Sequence, residues 1–325
     1  MPNNVNYQIN KDGETISIIR SPQATGEIKI PSEVEINGKK YTVTSILQEA
    51  FYGTSLTSVD LPNSLKFIEG WAFQDCSLKN VTFGNSLYSI GPSAFASCHG
   101  LTSVKLPNSL RSLQDYAFWD CSGLRNIEIG NSLTSINEET FGDCFNLISI
   151  SLPDNIISIG DGAFSDCIGL KEIRLSESLK SIGEGSFIGC ANLSSITIPE
   201  SVESIGKQAF IECPNLMTVN YPSSDPIVAP EDVFDWKTYL QGTLKINDQA
   251  IDKARKINPW KNFSSIIGSD SSDIEIINLK ESESKNNIKV YNINGVYISN
   301  SLSGLKSGIY IIREGSKSKK ICINE

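Results

Sequence analysis

The chain has 325 residues, a formal net charge of −9 and 39% hydrophobic residues. This acidic balance argues against nucleic acid as a partner, because phosphate backbones attract basic surfaces. No stretch approaches the roughly 20 apolar residues that cross a bilayer, so the sequence predicts no transmembrane segment.

The chain begins without a visible export signal. Residues 1–6 have neither the basic start nor the apolar middle of a signal peptide. Residues 1–44 lead directly into strand-like segments, and we predict that they form an N-terminal β cap.

Phenylalanine then recurs at a nearly constant interval. Successive intervals are 22, 22 and five times 23 residues, which is typical of leucine-rich repeat architectures; the positions are Phe51, Phe73, Phe95, Phe118, Phe141, Phe164, Phe187 and Phe210. A Leu-x-x-Val/Ile-x-Leu run opens each coil and predicts a half-buried strand. One coil cannot bury its apolar side alone, so the coils must stack. We predict a mainly β leucine-rich-repeat solenoid of about eight coils over residues 45–222, built from short strands, turns and short helices.

Several coils carry a Ser-Ile-Gly-x-x-Ala-Phe-x-x-Cys motif, as in SIGDGAFSDC from Ser158 to Cys167. This pattern resembles the BspA-like leucine-rich repeats of bacterial surface proteins, of the Bacteroidetes type. The flanks Glu27 to Ile46 and Asn258 to Ile266 resemble the caps of that family. The resemblance implies a secreted or cell-surface protein, and we therefore expect that a signal peptide has been trimmed.

Seven of the eight cysteines lie three residues after a phenylalanine: Cys76, Cys98, Cys121, Cys144, Cys167, Cys190 and Cys213. Neighbouring coils, about 4.8 Å apart, are within the range of disulfide Cα separations. Seven thiols are an odd number, however, and side chains that point the same way would give a disulfide poor torsion angles. A straight ladder also cannot converge into a tetrahedral zinc site. We interpret these cysteines as a structural ladder of small buried side chains.

Acidic residues precede five of these cysteines, and Asp120, Asp143 and Asp166 lie on consecutive coils. Such carboxylates form a weak calcium candidate. The alternative is that each aspartate caps its own corner by accepting local backbone N–H groups. We favour capping and predict no metal and no cofactor.

Catalytic motifs are absent from the sequence. His99 is the only histidine, so any Ser-His-Asp or Cys-His arrangement would depend on it. It follows Cys98 at a variable corner position. We predict that the protein is not an enzyme, although paired carboxylates cannot be judged from sequence alone.

Candidate binding residues lie where the repeat varies. Aromatic side chains flank the phenylalanine in the first coils, and large aromatics anchor interfaces or stack on sugars. The candidates are Trp71, Tyr88, Tyr116, Trp119 and the corner residue His99. The alternative is that Trp71 and Trp119 only cover the flank of the core.

The end of the chain does not follow the repeat pattern. Residues 223–268 are predicted to be the C-terminal cap, and GSDSSD from Gly268 opens a linker. Residues 269–325 contain a Val-Tyr-Asn-x-x-Gly strand and a Gly-Ile-Tyr-Ile strand ahead of a basic end. They resemble a type IX secretion sorting domain and predict a small all-β module, whose second segment folds about Glu314 and Gly315.

Three functional hypotheses follow. The first is a non-catalytic adhesion or protein-binding module that engages host matrix proteins, such as fibronectin, or other cells through the solenoid surface. The second is a glycan-binding accessory protein that uses Trp71, Tyr116 and Trp119 as a stacking platform. The third is a hydrolase, which needs clustered carboxylates in a cleft.

Overall fold

The computed structural model describes residues 4–269, 274–278, 288–292, 296–300, 305, 308–314 and 317–324. Residues 4–269 form a succession of short strands and turns, which from about residue 45 repeats with the phenylalanine interval. In each repeat a first strand is followed by a shorter second strand and then by a turn segment that contains the phenylalanine. We call one such repeat a coil.

The N-terminal cap begins the stack with five strands: β1 (Asn6–Ile9), β2 (Thr15–Ile19), β3 (Thr25–Lys29), β4 (Glu33–Ile36) and β5 (Lys39–Ile46). Two pairs, β1 with β2 and β4 with β5, are antiparallel. β2 pairs with β5 in parallel, and β3 pairs in parallel with the first strand of the next coil. The cap therefore offers the repeats a ready-made parallel edge.

The first strands extend this stack in parallel: β6 (Ser55–Asp60), β8 (Asn80–Thr82), β10 (Ser103–Lys105), β12 (Asn126–Glu128), β14 (Ser149–Ser151), β16 (Glu172–Arg174), β18 (Ser195–Thr197) and β20 (Thr218–Tyr221). Their hydrogen bonds fall into three blocks, β3-β6-β8, β10-β12-β14-β16, and one that begins β18-β20. In β10, β12, β14 and β18 the central residue is buried and its two neighbours are exposed, as the alternation predicts.

The second strands are two residues long and pair in the same way: β7 (Phe67–Ile68), β9 (Ser89–Ile90), β11 (Ser112–Leu113), β13 (Ser135–Ile136), β15 (Ser158–Ile159), β17 (Ser181–Ile182) and β19 (Ser204–Ile205). The register is one coil per step, for example Ile159 opposite Ile182. The apolar residue of each pair points into the core, and the preceding residue, usually serine, faces outward.

The turn segments stack through both backbone and side chains. In the coil of Phe118, the N–H groups of Tyr116, Phe118 and Asp120 donate to the next coil's carbonyls at 2.9, 3.0 and 2.8 Å. The phenylalanine rings form one buried column, with neighbouring centroids 5.0–5.9 Å apart and planes within 1–22°. The solenoid core is this column with the isoleucine and leucine ladders around it.

Each turn segment carries two residues in the left-handed backbone region, two positions before and two positions after the phenylalanine. The first set is Glu49, Trp71, Ser93, Tyr116, Glu139, Gly162, Gly185 and Gln208. The second is Gly53, Asp75, Ser97, Asp120, Asp143, Asp166, Gly189 and Glu212. The second set is mostly glycine and aspartate, which tolerate this conformation best.

The seven cysteines form a second buried column beside the phenylalanines. All seven are free thiols. Each thiol donates to the carbonyl oxygen of the phenylalanine one coil earlier, at 3.0–3.4 Å. Burial raises the pKa of the Cys121, Cys144 and Cys167 thiols well above the usual thiol value. The thiol is thus a hydrogen-bond donor as well as a small apolar group.

The C-terminal cap continues the stack beyond the last regular repeat. The strands β21 (Thr243–Ile246) and β22 (Ser265–Gly268) add in parallel to β20, and the helix α1 (Trp236–Gln241) and the single turn α2 (Ile251–Ala254) connect them, with 3-10 turns at Asp248–Ala250 and Trp260–Asn262. Phe234 extends the aromatic column by one ring, 5.2 Å from Phe210. The buried Trp260 then closes this end.

The C-terminal module is a five-stranded sheet of β23 (Ile274–Asn278), β24 (Ile288–Asn292), β25 (Tyr297–Ser299), β26 (Gly308–Glu314) and β27 (Lys317–Asn324). The strand order is β23-β27-β26-β24-β25, and only the β23–β27 pair is parallel. β26 and β27 pair in antiparallel fashion, with Glu314 opposite Lys317. Gly315, at the predicted fold of this segment, lies outside the described residues. The predicted fold, a solenoid followed by a small all-β module, is confirmed. In the parts of the chain described above, none of the helices has the length and apolarity needed to span a membrane.

We expect the substitution Phe141→Ala to lower the free energy of unfolding by about 3–5 kcal/mol, because it opens a cavity in the middle of the column. Phe145→Ala is the matched control, since Phe145 lies four residues further on with 40% of its surface exposed, and it should cost about 0.5 kcal/mol or less. Guanidinium unfolding followed by circular dichroism measures both. Equal losses would contradict the column as the main stabilising element.

Stability should fall as the pH rises above about 9, the ordinary thiol value. The folded pKa of the buried thiols is raised, so their contribution is complete below the unfolded pKa and is lost as the unfolded chain releases protons. In this range each thiol lowers the free energy of unfolding by up to about 1.4 kcal/mol per pH unit.

The measurement is the denaturation midpoint at neutral and alkaline pH, in reductant, for the natural chain and for the double variant Cys121→Ala/Cys144→Ala. The variant is expected to be less stable at neutral pH but to show the shallower pH dependence. An unchanged dependence would mean that these thiols do not carry the effect.

Candidate functional site

Two of the aromatic candidates stand in strained backbone on the outer surface of the turn segments, which we call the turn face. Trp71 has φ 56° and Tyr116 has φ 59°. Trp71 is 39% exposed and Tyr116 is half-buried. Left-handed backbone costs a residue with a large side chain about 1–2 kcal/mol. Two other coils place Gly162 and Gly185 here, so the fold itself does not require a bulky residue.

Trp119 follows Tyr116 by three residues in the same turn and lies half-buried. Its side chain lies close enough to the Asp143 carboxylate, one coil further on, to oppose the rise in the pKa of that group. Tyr52 occupies the equivalent place in its own coil, and Asp75, one coil further on, raises its pKa. In both coils, the residue after the phenylalanine therefore interacts with the carboxylate two residues after the next phenylalanine.

Tyr116 is fixed by a similar contact. Its hydroxyl donates to Glu138 Oε1 at 2.8 Å. This bond, with the burial of the hydroxyl and the charge of Glu138, raises the pKa of Tyr116 to about 12. The phenol is thus held as a neutral donor with its ring on the turn face.

Carboxylates surround Trp119 on the side of the later coils. Burial raises the pKa of Glu139, whose Oε2 accepts a hydrogen bond from Ser165 Oγ at 2.7 Å. Burial, followed by the charges of Asp166 and Asp120, raises the pKa of Asp143. Gly162 makes room for Glu139, because a Cβ there would overlap its carboxylate. The turn face thus combines an indole, a phenol and several acidic groups.

One member of the acidic ladder differs from the predicted backbone capping. Asp120 Oδ2 accepts a hydrogen bond from Ser97 Oγ of the preceding coil at 3.3 Å, in place of the local backbone N–H group that we predicted. Within residues 4–269 and the described strands that follow, no three His, Cys, Asp or Glu side chains are arranged to hold a metal ion.

The remaining two candidates, Tyr88 and His99, lie outside the turn face or at its border. Tyr88 precedes β9, on another side of the coil, and packs edge-on against Phe67 with centroids 6.1 Å apart. His99 lies at the corner, with Nδ1 3.0 Å from both the Asp120 carbonyl oxygen and Ser122 Oγ. The structure therefore groups Trp71, Tyr116 and Trp119 on one face, places His99 at its border and separates Tyr88 from it.

Sequence reasoning missed Tyr52 and Glu139 as members of this surface. The sequence did contain a sign of the left-handed backbone at these positions, namely glycine. Gly162 and Gly185 share a repeat position with Trp71, and Gly53 and Gly189 share one with Asp143. Glycine alternating with large or charged residues at one repeat position indicates left-handed backbone.

The sequence matches the family model described as BspA type leucine rich repeat region, in six copies, over residues 32–148 and 111–241. Together these ranges cover well over half of the chain. No curated protein matches it.

Solved structures of other leucine-rich repeat proteins are similar to the chain. A leucine-rich repeat protein from Bacteroides ovatus shares 21% identity and a TM-score of 0.55 over 85% of this chain and 81% of that one. A leucine-rich repeat protein from T. pallidum shares 32% identity and a TM-score of 0.50 over 66% of this chain and 88% of that one. The first similarity concerns the fold alone.

We expect Asp143→Asn to raise the denaturation midpoint at neutral pH. The folded pKa of Asp143 is raised, so its ionisation is less favourable in the folded chain, and the gain should shrink as the pH falls through the acid range. Asparagine keeps an oxygen for the Trp119 donor and tolerates left-handed backbone.

Asp154→Asn is the opposite control. Arg174 lowers the pKa of Asp154, so this substitution should reduce stability at neutral pH and lose its effect in acid. If both variants shift the midpoint in the same direction, the unfavourable ionisation inferred for Asp143 is wrong.

Proposed function

The chain belongs to the BspA-type leucine-rich repeat family, and we propose that it is a non-catalytic protein-binding module of the cell surface or the secreted fraction. In this proposal the solenoid is a rigid scaffold, and the turn face is its contact surface. Its partners are extracellular proteins, either host matrix proteins such as fibronectin or proteins on other cells. The C-terminal module serves export or anchoring, as its resemblance to a sorting domain implies.

One observation carries the assignment of the surface. Trp71 and Tyr116 hold large aromatic rings in left-handed backbone at positions where Gly162 and Gly185 are accommodated. Strained backbone of this kind clusters at functional sites, where another benefit outweighs its cost. Aromatic side chains of this size are the common energetic centres of protein interfaces.

One of the aromatic rings is also held in place, which favours binding. The hydrogen bond of Tyr116 to Glu138 fixes the orientation of the phenol before any partner arrives. A fixed side chain loses less conformational entropy when it becomes buried in an interface.

The second candidate function is glycan binding by the same surface. It is favoured by the carboxylates of Glu139 and Asp143 beside the Trp119 indole. An aromatic ring can stack on a sugar ring while neighbouring carboxylates accept bonds from its hydroxyl groups. Both functions use the turn face, and the identity of the ligand separates them.

The test is solid-phase binding of the full chain to fibronectin, to other host matrix proteins and to a panel of polysaccharides. We expect saturable binding to a protein, and we expect Trp71→Ala and Trp119→Phe to weaken it, by about tenfold or more for Trp71→Ala. Trp71→Gly should weaken binding equally while relieving about 1 kcal/mol of backbone strain, so its denaturation midpoint should not fall.

Trp236→Ala is the matched control, because Trp236 is 72% exposed but lies on α1 in the C-terminal cap. It should leave binding unchanged. Binding that survives Trp71→Ala, or that Trp236→Ala reduces equally, would refute the turn face as the contact surface. Binding to polysaccharide alone would select the second function.

A further inference from the structure

A groove runs along the solenoid between the second strands and the turn segments. It has a volume of about 670 Å³ and extends over the coils from Asp115 to Gly206. Its floor and one wall are formed by the serine, isoleucine and glycine of successive Ser-Ile-Gly segments, such as Ser158 to Gly160. It lies beside the turn face and contains none of the aromatic candidates.

Close approach of neighbouring coils keeps this groove open. A Cβ at Gly160 would lie 2.7 Å from the Asn137 carbonyl carbon, and one at Gly183 would lie 2.5 Å from the Gly160 carbonyl carbon. At Gly206 a Cβ would also meet backbone of the preceding coil. A side chain at these three glycines would therefore overlap backbone of the preceding coil, whereas Asn137 occupies the equivalent position in the coil before Gly160 and lines the groove.

The other wall of the groove carries one carboxylate per coil over four consecutive coils: Asp115, Glu138, Asp161 and Glu184. All four residues are exposed. No ion pair formed by the described residues includes any of these carboxylates. The next coil has Lys207 at this position, and Lys207 does not line the groove. The row of four carboxylates therefore covers the same coils as the groove.

We propose that this groove binds a short, extended polypeptide segment rich in lysine and arginine, which lies along the solenoid axis. The inference rests on the proposed protein-binding function and specifies one class of partner segment for it. Coils about 4.8 Å apart place the four carboxylates over about 14 Å, the length of four or five extended residues. The wall supplies the complementary charge, and the serine hydroxyls opposite supply hydrogen-bonding groups for a peptide backbone.

The arrangement suits binding better than hydrolysis. All four carboxylates occupy the same repeat position and so line the same wall. A glycoside hydrolase needs two carboxyl groups that flank the scissile bond from opposite sides. A row along one wall instead matches a row of positive charges along a ligand.

The experiment is fluorescence anisotropy of a fluorescein-labelled octalysine peptide with the full chain, at low and at high ionic strength. We expect saturable binding that weakens as salt is added. The variant Asp115→Asn/Glu138→Gln/Asp161→Asn/Glu184→Gln should weaken binding by about tenfold or more. The amides keep an acceptor for the Tyr116 hydroxyl and for the Glu184 N–H group.

The matched control is Glu27→Gln/Glu172→Gln/Glu177→Gln/Glu200→Gln, which removes the same charge from exposed positions outside the groove. It should bind octalysine within about twofold of the natural chain. Equal weakening by both variants would show that the peptide responds only to net charge, and would overturn the proposal. Spermine binding as tightly as octalysine would overturn the choice of a polypeptide.

The result is separable from the proposed function. If octalysine fails to bind but the full chain still binds a matrix protein through the turn face, the groove inference fails and the proposed function stands. If octalysine binds in the groove but Trp71→Ala leaves matrix binding unchanged, the turn-face assignment fails and the groove remains.

Discussion

The structure depends on the face-to-face stacking of one phenylalanine per coil. The rings are completely buried and nearly parallel, so each fixes the height and rotation of its neighbours. Once they stack, the backbone N–H groups around each ring meet the carbonyls of the next coil, and the thiols meet the phenylalanine carbonyls of the preceding one. The register of a whole coil thus follows from one side chain, which is the nearest-neighbour behaviour expected of solenoids.

The buried half of this structure could be predicted from the sequence. The phenylalanine column from Phe51 to Phe210 and the strand runs appear where the pattern placed them, because burial imposes a fixed residue type at a fixed spacing. Phe234 was missed because the cap lengthens its interval to 24 residues and replaces the preceding alanine with Val233.

The surface half could be predicted only in part. The sequence singled out Trp71, Tyr116 and Trp119 as departures from the repeat, and the structure places them on one face. It did not indicate that Ser97 donates a hydrogen bond to Asp120 across a coil boundary, or that Gly160 and Gly183 lie against backbone of the preceding coil in the groove. Both features arise between coils, and a linear pattern records what recurs within a coil rather than what meets across the boundary.

The inter-coil contacts have a consequence for how such a chain can change length. Each coil presents to its successor the same kind of ring, carbonyl groups and thiol acceptor that it meets on its predecessor. Removing residues 119–141 would therefore place Phe118 next to Phe164, in the register that Phe141 now occupies. The two caps would meet the same kind of neighbour as before. One coil is therefore a unit of recombination as well as of folding, and the gene can lengthen or shorten the rod in whole layers while both ends stay closed.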